Sequence, residues 1–276
     1  YLITLKINGF WLRYSTGSTF DSINSADIKD AIIFLPEKNE QSRIAKTLNC
    51  IDNLIAATQR RIDDLEQVEK TLLQHLFDQS WRFNVYSDPW VKSKVANMAK
   101  ENFGGGTPST KKRSFWTGSL PWIQSSDLDK SNKYTVIPKK FISSAALKSS
   151  AAKKVPSNSI AVVTRVGVGK LAFINYDYAT SQDFLSFSFL NWSAFFSVNL
   201  LTRVMEQMSN EGQGTSIKGV TKSELLAKSV LIPTSLEEQI SIGNLLKSFD
   251  DLIKSTSNRL SKLELLKTSL LKNLFV

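Results

Sequence analysis

Apolar residues recur at alternating steps of four and three over two long stretches of this chain. In the first, Ile44, Ile51, Leu65 and Leu72 interleave with Leu48, Ile55, Ile62 and Leu76. In the second, Ile242, Phe249, Leu263 and Leu270 interleave with Leu246, Ile253, Leu260 and Leu274. This spacing lays one apolar seam along a helix and predicts two helices of the coiled-coil kind. The two stretches are copies of each other. From Gln41, which faces Gln239, to Phe77, which faces Phe275, the displacement stays at 198 residues. Identities along the way include Asp52/Asp250, Leu54/Leu252, Ile55/Ile253, Arg61/Arg259 and Leu65/Leu263. Both seams are interrupted by a threonine at the same place, Thr58 and Thr256. Paired antiparallel, those threonines meet in one central layer and pin the register. Roughly 35 residues make about 50 Å of helix, more than packing on a single domain needs, so helix-on-helix pairing is expected. Leu54, Leu73 and Phe77, with Leu252, Leu271 and Phe275, fall off the seam and widen the apolar stripe. Spacing alone leaves both their own domain and a partner protein open as destinations. They exceed what a two-helix seam requires, however, and an excess apolar stripe on a charged helix pair places them on a helix-pairing or partner face.

The duplication extends upstream with a slip of one residue. Gly17-Ser18-Thr19-Phe20 and Ile23 face Gly214-Thr215-Ser216-Ile217 and Val220; Ile28 faces Leu225, and Pro36 faces Pro233. Residues 1–36 are therefore expected to be the tail of a domain whose complete copy occupies roughly 81–233, with the front of the first copy absent. The start on Tyr1 rather than Met is that expected of a fragment or of a processed chain. Within 81–233, Val91 to Lys100 is expected to form a short helix ending before Gly104. Ser159 to Thr164 and Lys170 to Ile174 read as strands around the turn Arg165-Val166-Gly167-Val168-Gly169. Phe184 to Leu190 alternates as a half-buried strand does. Ser193 to Met208 is a helix with Phe196, Leu200, Val204 and Met208 on one face, and Thr221 with Glu224 forms a capping box opening another. The result is mixed α and β.

With 42% hydrophobic residues, six Trp and 16 Phe among 276 residues, the chain can fill the cores of two domains, or of one domain with helical appendages. No apolar run approaches the ~20 residues that span a bilayer, and no signal-peptide pattern is visible, so no membrane association is expected. A single cysteine, Cys50, forms no internal disulfide and suits a reducing, cytoplasmic setting. Together with one histidine, His75, it makes no zinc cluster, and no metal or cofactor is expected. Charge changes the picture once it is located. Of the formal +10, Trp81 to Ile232 holds 20 Lys and Arg against nine Asp and Glu, whereas the rest holds 15 against 16. A basic excess confined to one segment is what binding a phosphate backbone requires, and equally what a soluble basic surface looks like.

The candidate chemistry lies in that segment. The Gly104-Gly105-Gly106-Thr107-Pro108-Ser109 run lacks the G-K-[ST] ending of a phosphate-binding loop, so a flexible turn is the expectation there, with Thr107 and Ser109 as polar contacts. Lys111, Lys112 and Arg113 are placed to reach phosphates, or to form a solvated face. Gln124 and Ser126, in Pro121-Trp122-Ile123-Gln124-Ser125-Ser126-Asp127, have the groups that bond base edges. Trp116 and Trp122 are expected in the core. Arg165 sits at a glycine-bounded hairpin tip, from which it enters a groove or pins a neighbouring loop, and Lys170 closes the same hairpin. Thr215, Ser216 and Lys218 form a further polar loop. Its counterpart at Gly17–Asp21 keeps the hydroxyls and exchanges Lys218 for Asp21, as two different half-sites would need.

Taken together, the helix ends LLQHLF and LLKNLF, a Pro-x(3–4)-Glu-Gln start to each helix, and the run GGGTPS…W…PWIQSSDL followed by TRVGVGK resemble the specificity subunit of type I restriction-modification systems over the whole chain. The resemblance implies an α+β chain in which mixed α/β target-recognition domains are joined by two long helices forming an antiparallel coiled coil. It implies residues 1–36 as the C-terminal remnant of the first recognition domain and 37–80 as the first conserved-region helix. Residues 81–235 are then the second, DNA-binding domain and 236–276 the second helix. It further implies a non-catalytic bacterial protein that reads one half of a split double-stranded DNA target per domain. Its partners would be two methyltransferase subunits and the restriction subunits, with self-association through the helices also open. Neither an F-x-G-x-G nor a [DN]-P-P-[YF] motif of a methyltransferase is present. The competing reading is a non-catalytic helical scaffold whose basic domain binds RNA or another protein. A cryptic enzyme would need a convergent acid/base set that the sequence does not display.

Overall fold

The computed structural model describes residues 9–15, 23–30, 32, 35–211 and 219–274. Expectations placed on Gly17–Asp21, Thr215, Ser216, Lys218 and Phe275 lie outside those residues. In chain order the elements are α1 (Ser25–Asp30), α2 (Lys38–Phe77), β1 (Val91–Lys94), β2 (Ala99–Gly104), β3 (Leu120–Ile123), β4 (Lys140–Ile142) and α3 (Ser144–Ser149). They continue with β5 (Ser159–Val163), β6 (Leu171–Ile174), β7 (Ala179–Thr180), β8 (Phe184–Leu190), α4 (Ala194–Glu211), α5 (Lys222–Ala227), β9 (Ser229–Ile232) and α6 (Leu236–Asn273). Two compact units result, residues 1–67 with 252–276, and residues 68–251, so that each long helix contributes to both. None of the described helices is long and apolar enough to cross a membrane.

In the first unit α2 and α6 pair antiparallel. Lys267, near the end of α6, reaches Asp52, near the start of α2, with 2.5 Å between Nζ and Oδ1. Ile51 and Ile62 are buried along the seam, and so are both threonines, Thr58 and Thr256, each 8% exposed. Each threonine hydroxyl donates to the carbonyl four residues back, Leu54 and Leu252 respectively, at 2.7 Å. With its polar atom satisfied inside its own helix, a threonine enters an apolar seam without leaving an unpaired group. The Glu-Gln start of each helix has a physical reason too. Gln41 Nε2 donates to the Pro36 carbonyl at 2.7 Å, and Gln239 Nε2 to the Pro233 carbonyl at 2.9 Å, tying the entering chain to the first turn in both copies.

The second unit is built on an antiparallel sheet of order β2-β8-β5-β6, flanked by a three-stranded sheet β4-β3-β7 and the pair β1-β9. Because side chains alternate across a strand, β5 feeds two cores. Ile160 and Val162 join Leu185, Phe187 and the buried face of α4 (Phe196, Leu200, Leu201, Val204, Met205), while Ala161 and Val163 join Ile123, Ile174, Tyr178 and Phe184. The first core also takes Leu76 and Phe77 from α2 and Ile242 and Leu246 from α6.

Three expectations change. Val91 to Lys100 is not a helix but β1, a 3-10 turn over Val95–Met98, and the start of β2. Its apolar residues fit one helical face, but pairing of Val91 with Ile232 and Ala99 with Leu190 draws the backbone into ladders, and tertiary pairing overrides local pattern. Phe184–Ser188 is buried on both faces rather than one, because Leu185 and Phe187 pack into the first core while Phe184, on the opposite face, packs into the second. Phe77, expected on the helix-pairing or partner face, is inside the first core, its ring 5.4 Å from Phe196 and 6.3 Å from Trp90. Leu73 packs on the same core.

Candidate nucleic-acid interface

The loops at the ends of β2, β3, β5 and β7 bring most of the candidate residues of 68–251 into neighbouring positions. The glycine run departs from expectation first. A Cβ on Gly105 would stand 1.8 Å from the Ser181 carbonyl oxygen, and one on Gly106 would stand 2.3 Å from the Ala151 carbonyl carbon. Gly106 also donates its N–H to the Thr180 carbonyl at 2.8 Å and accepts from Trp122 Nε1 at 3.0 Å. This is a close-packed crossing pinned on both sides, not a flexible turn. It delivers Thr107, whose hydroxyl donates to Gln182 Oε1.

Beyond it, Ser109 supplies a carbonyl that accepts from Trp116 Nε1 at 3.2 Å, so the loop carrying Lys111, Lys112 and Arg113 is tied down at its base. The three cations themselves are exposed. Lys112 lies 5.0 Å over the ring of buried Phe115, the kind of contact that steadies a cation without neutralising it. Trp122 is buried and Trp116 half-buried, the two rings packed edge to face at 5.0 Å, as expected of core residues.

Gln124 opens a 3-10 turn over Ser125–Asp127 and caps it reciprocally, its N–H donating to Asp127 Oδ2 at 3.0 Å. Its amide is already oriented: Nε2 donates to Ser126 Oγ at 2.9 Å, and Oε1 accepts from Lys140 Nζ at 3.2 Å. Lys140 in turn stands 5.6 Å over the Trp122 ring. A cleft of about 570 Å³ opens between these groups, lined by Thr107, Trp116, Gln124, Lys139, Lys140 and Phe141 among others.

The hairpin β5-β6 turns through Gly167 (φ +88°) and Gly169 (φ +91°), left-handed conformations that favour glycine. Arg165 projects exposed from its tip, and Lys170 Nζ donates to the Ser125 carbonyl at 3.2 Å, clamping the hairpin to the Gln124 turn. A second cleft of about 420 Å³ lies between Arg165, Gln182, Gly219 and Lys222. It adjoins the first through the Thr107–Gln182 hydrogen bond. Thr107 and Gln124 thus line the first cleft and Arg165 the second, Ser126 and Lys170 are bonded to the Gln124 turn beside them, and Lys111–Arg113 lie on the loop between Thr110 and Trp116. Sequence pattern does not single out Lys139, Lys140, Gln182 or Lys222. For the first two, the tandem lysines after Pro138 are the available signal. Donors and cations dominate this surface, an arrangement suited to a polyanion with base edges to read. Among the described residues no cluster of His, Cys, Asp and Glu is placed to hold a metal ion.

Of the off-seam helix residues, Leu54 and Leu252 remain exposed, at 41% and 39%. Leu271 is half-buried.

Comparison with known proteins follows the same line. The family model described as type I restriction modification DNA specificity domain matches residues 1–67 and 87–265. The chain is 29% identical over 198 residues to the type I restriction enzyme MjaIX specificity subunit of Methanocaldococcus jannaschii, covering 68% of this chain and 44% of that protein. It is 25% identical over 227 residues to the EcoR124I/EcoR124II specificity subunit of Escherichia coli, covering 74% of this chain and 53% of that protein. The chain thus spans about half the length of the curated relatives it matches. In fold it is similar to the type I system S subunit from M. genitalium, with a TM-score of 0.67 at 15% identity over 100% of this chain and 71% of that one. The corresponding subunit from Thermoanaerobacter tengcongensis gives 0.57 at 17% identity, over 99% and 69%.

Proposed function

Because this chain belongs to the type I restriction-modification DNA specificity family, we propose that it is the non-catalytic, sequence-reading component of such a system. In this reading residues 81–235 form a target-recognition domain that addresses one part of a bipartite duplex site. Residues 37–80 and 236–276 are the helices that methyltransferase subunits grip, two of them on the duplicated helices, with restriction subunits joining the assembly. Residues 1–36 belong to a first recognition domain. The observation that carries the reading is that Thr107, Gln124 and Arg165 line adjoining clefts, with Ser126 and Lys170 bonded to the Gln124 turn, in the one segment that holds the excess positive charge. Cations there supply salt-sensitive attraction, and the pre-oriented Gln124 amide supplies a donor–acceptor pair for a base edge.

The test is selection of bound duplexes from a randomised DNA library at about 0.15 M salt, near physiological ionic strength, with RNA as competitor. Enrichment of one motif, unaffected by RNA, is the expected result. Flat enrichment, or displacement by RNA at equal concentration, defeats the reading and favours a scaffold that binds RNA or protein. With a methyl donor present, incorporation should require the methyltransferase partner, and incorporation by this chain alone would overturn the non-catalytic assignment.

A further inference from the structure

The duplication of the helices sets up a charge pattern that the structure breaks in one place. Asp52 and Asp250 are duplicates, and Glu69 occupies the position duplicated by Lys267. In residues 1–67 with 252–276, Asp52 pairs directly with Lys267 across the two helices. The same pairing in residues 68–251 would join Asp250 to residue 69, but residue 69 is glutamate. Two carboxylates therefore face each other where the other copy has an ion pair. The cation comes from the basic domain instead. Lys133 Nζ lies 3.2 Å from Glu69 Oε1 and 3.1 Å from Asp250 Oδ1, and also donates to Asn199 Oδ1 at 3.3 Å. All three charged side chains are largely buried, between 10% and 16% exposed.

The segment that carries Lys133 is held on both sides. The Lys133 carbonyl accepts from Phe173 N on β6 at 2.9 Å. The Tyr134 hydroxyl accepts from Asn199 Nδ2 at 3.1 Å, and its ring stands edge-on to Phe195 at 5.4 Å. Lys247, on α6, lies over the face of that same Tyr134 ring at 5.1 Å. Hydrophobic contact between a domain and a helix pair is non-directional and tolerates sliding. A buried ion cluster is directional, and its desolvation makes it a poor source of stability; its best-attested use is fixing one arrangement against others.

We infer that Lys133 is a positioning residue: it takes the place of the lysine that the helix pair lacks at residue 69, and by doing so locks the basic domain onto α2 and α6 in one orientation. A reader of DNA gains from this because its loops must meet the groove at a fixed angle, but the lock itself does not depend on DNA.

The test uses two variants of the whole chain, Lys133→Met and Lys133→Met/Glu69→Lys. The second rebuilds on the helices the direct Asp–Lys pair of the other copy and leaves the domain without its key. Spin labels go on exposed positions, Ser119→Cys and Ser248→Cys, in a Cys50→Ser background. Lys133→Met should lower Tm by about 5–10 °C, as expected for a few kcal/mol in a domain of this size, and broaden the inter-label distance distribution. The double variant should regain the wild-type Tm yet keep the broad distribution. Should Lys133→Met fail to fold, the double variant alone carries the test. A narrow, wild-type distribution in either variant overturns the inference, as does a double variant that stays destabilised. No DNA enters the measurement, so its failure is separate from failure of the DNA-reading function.

Discussion

At the scale of single residues, Arg165 and Glu69 make opposite uses of charge. Arg165 stands exposed at the tip of a hairpin that turns through two left-handed glycines and is clamped by Lys170, so its backbone is fixed while its guanidinium is offered outward. If it reads a base edge, Arg165→Ala should weaken binding to the selected sequence by about 10–100-fold and random duplex far less. Titration of both duplexes decides it, and an equal loss on both would assign Arg165 to phosphates. Glu69 is held inward. Burial, with the Asp250 carboxylate adding to it, pushes its pKa above the ordinary 4.5 even though Lys133 pulls the other way. Between the unfolded and folded values the native state holds a proton that the unfolded chain has lost, so stability falls as pH rises through that window. Glu69→Gln removes the ionisation and keeps an acceptor for Lys133. It should therefore raise Tm at pH 8 and give no gain at pH 4. The same Tm difference at both pH values would contradict this account.

Elements show where pattern suffices and where it does not. Both long helices are legible, because a 4-3 repeat and a duplication each specify them independently, and the Thr58 and Thr256 positions follow from the same register. The hairpin around Arg165 and the Thr221 cap are legible from local turn chemistry. Val91–Lys100 is not, since its strands form only by pairing with residues about 90 and 140 positions away. The site is legible as a set of residue types but not as a surface. The contacts that assemble it, such as Lys170 with Ser125 or Thr107 with Gln182, join segments that no spacing rule connects. Phe77 shows why. Its stripe position fits a partner face as well as a core, and only the rings of Trp90 and Phe196 settle which. Phe77→Ala should accordingly cost about 3–5 kcal/mol of stability. Leu54→Ala, on an exposed side chain of the same helix, should stay within about 1 kcal/mol, as exposed substitutions usually do. Denaturant unfolding of both measures the contrast, and comparable losses would mean that Leu54 is covered.

For the whole molecule, the decisive feature is where charge is placed. Outside Trp81–Ile232 the chain is near neutrality, with 15 basic and 16 acidic residues, so the net +10 is a property of the basic domain and not of the helices. A helix pair balanced in this way forms its own ion pairs, as Lys267 does with Asp52, and offers little to a polyanion. The basic domain keeps its cations outward, and Lys111, Lys112 and Arg113 are all exposed on a loop whose base is tied by Trp116. Cations that meet phosphates release counterions, so each contact contributes roughly 0.9 to the slope of log affinity against log salt. Alanine at all three positions should therefore flatten that slope by about 0.9 for each cation that touches the backbone. It should weaken selected and random duplexes alike while leaving the preferred sequence unchanged, since phosphates position and base edges specify. Binding isotherms across a series of salt concentrations give the slope directly. A variant with the wild-type slope would move these three side chains to a solvated face, and the attraction would then have to come from Lys139, Lys140, Arg165 and Lys222 around the clefts.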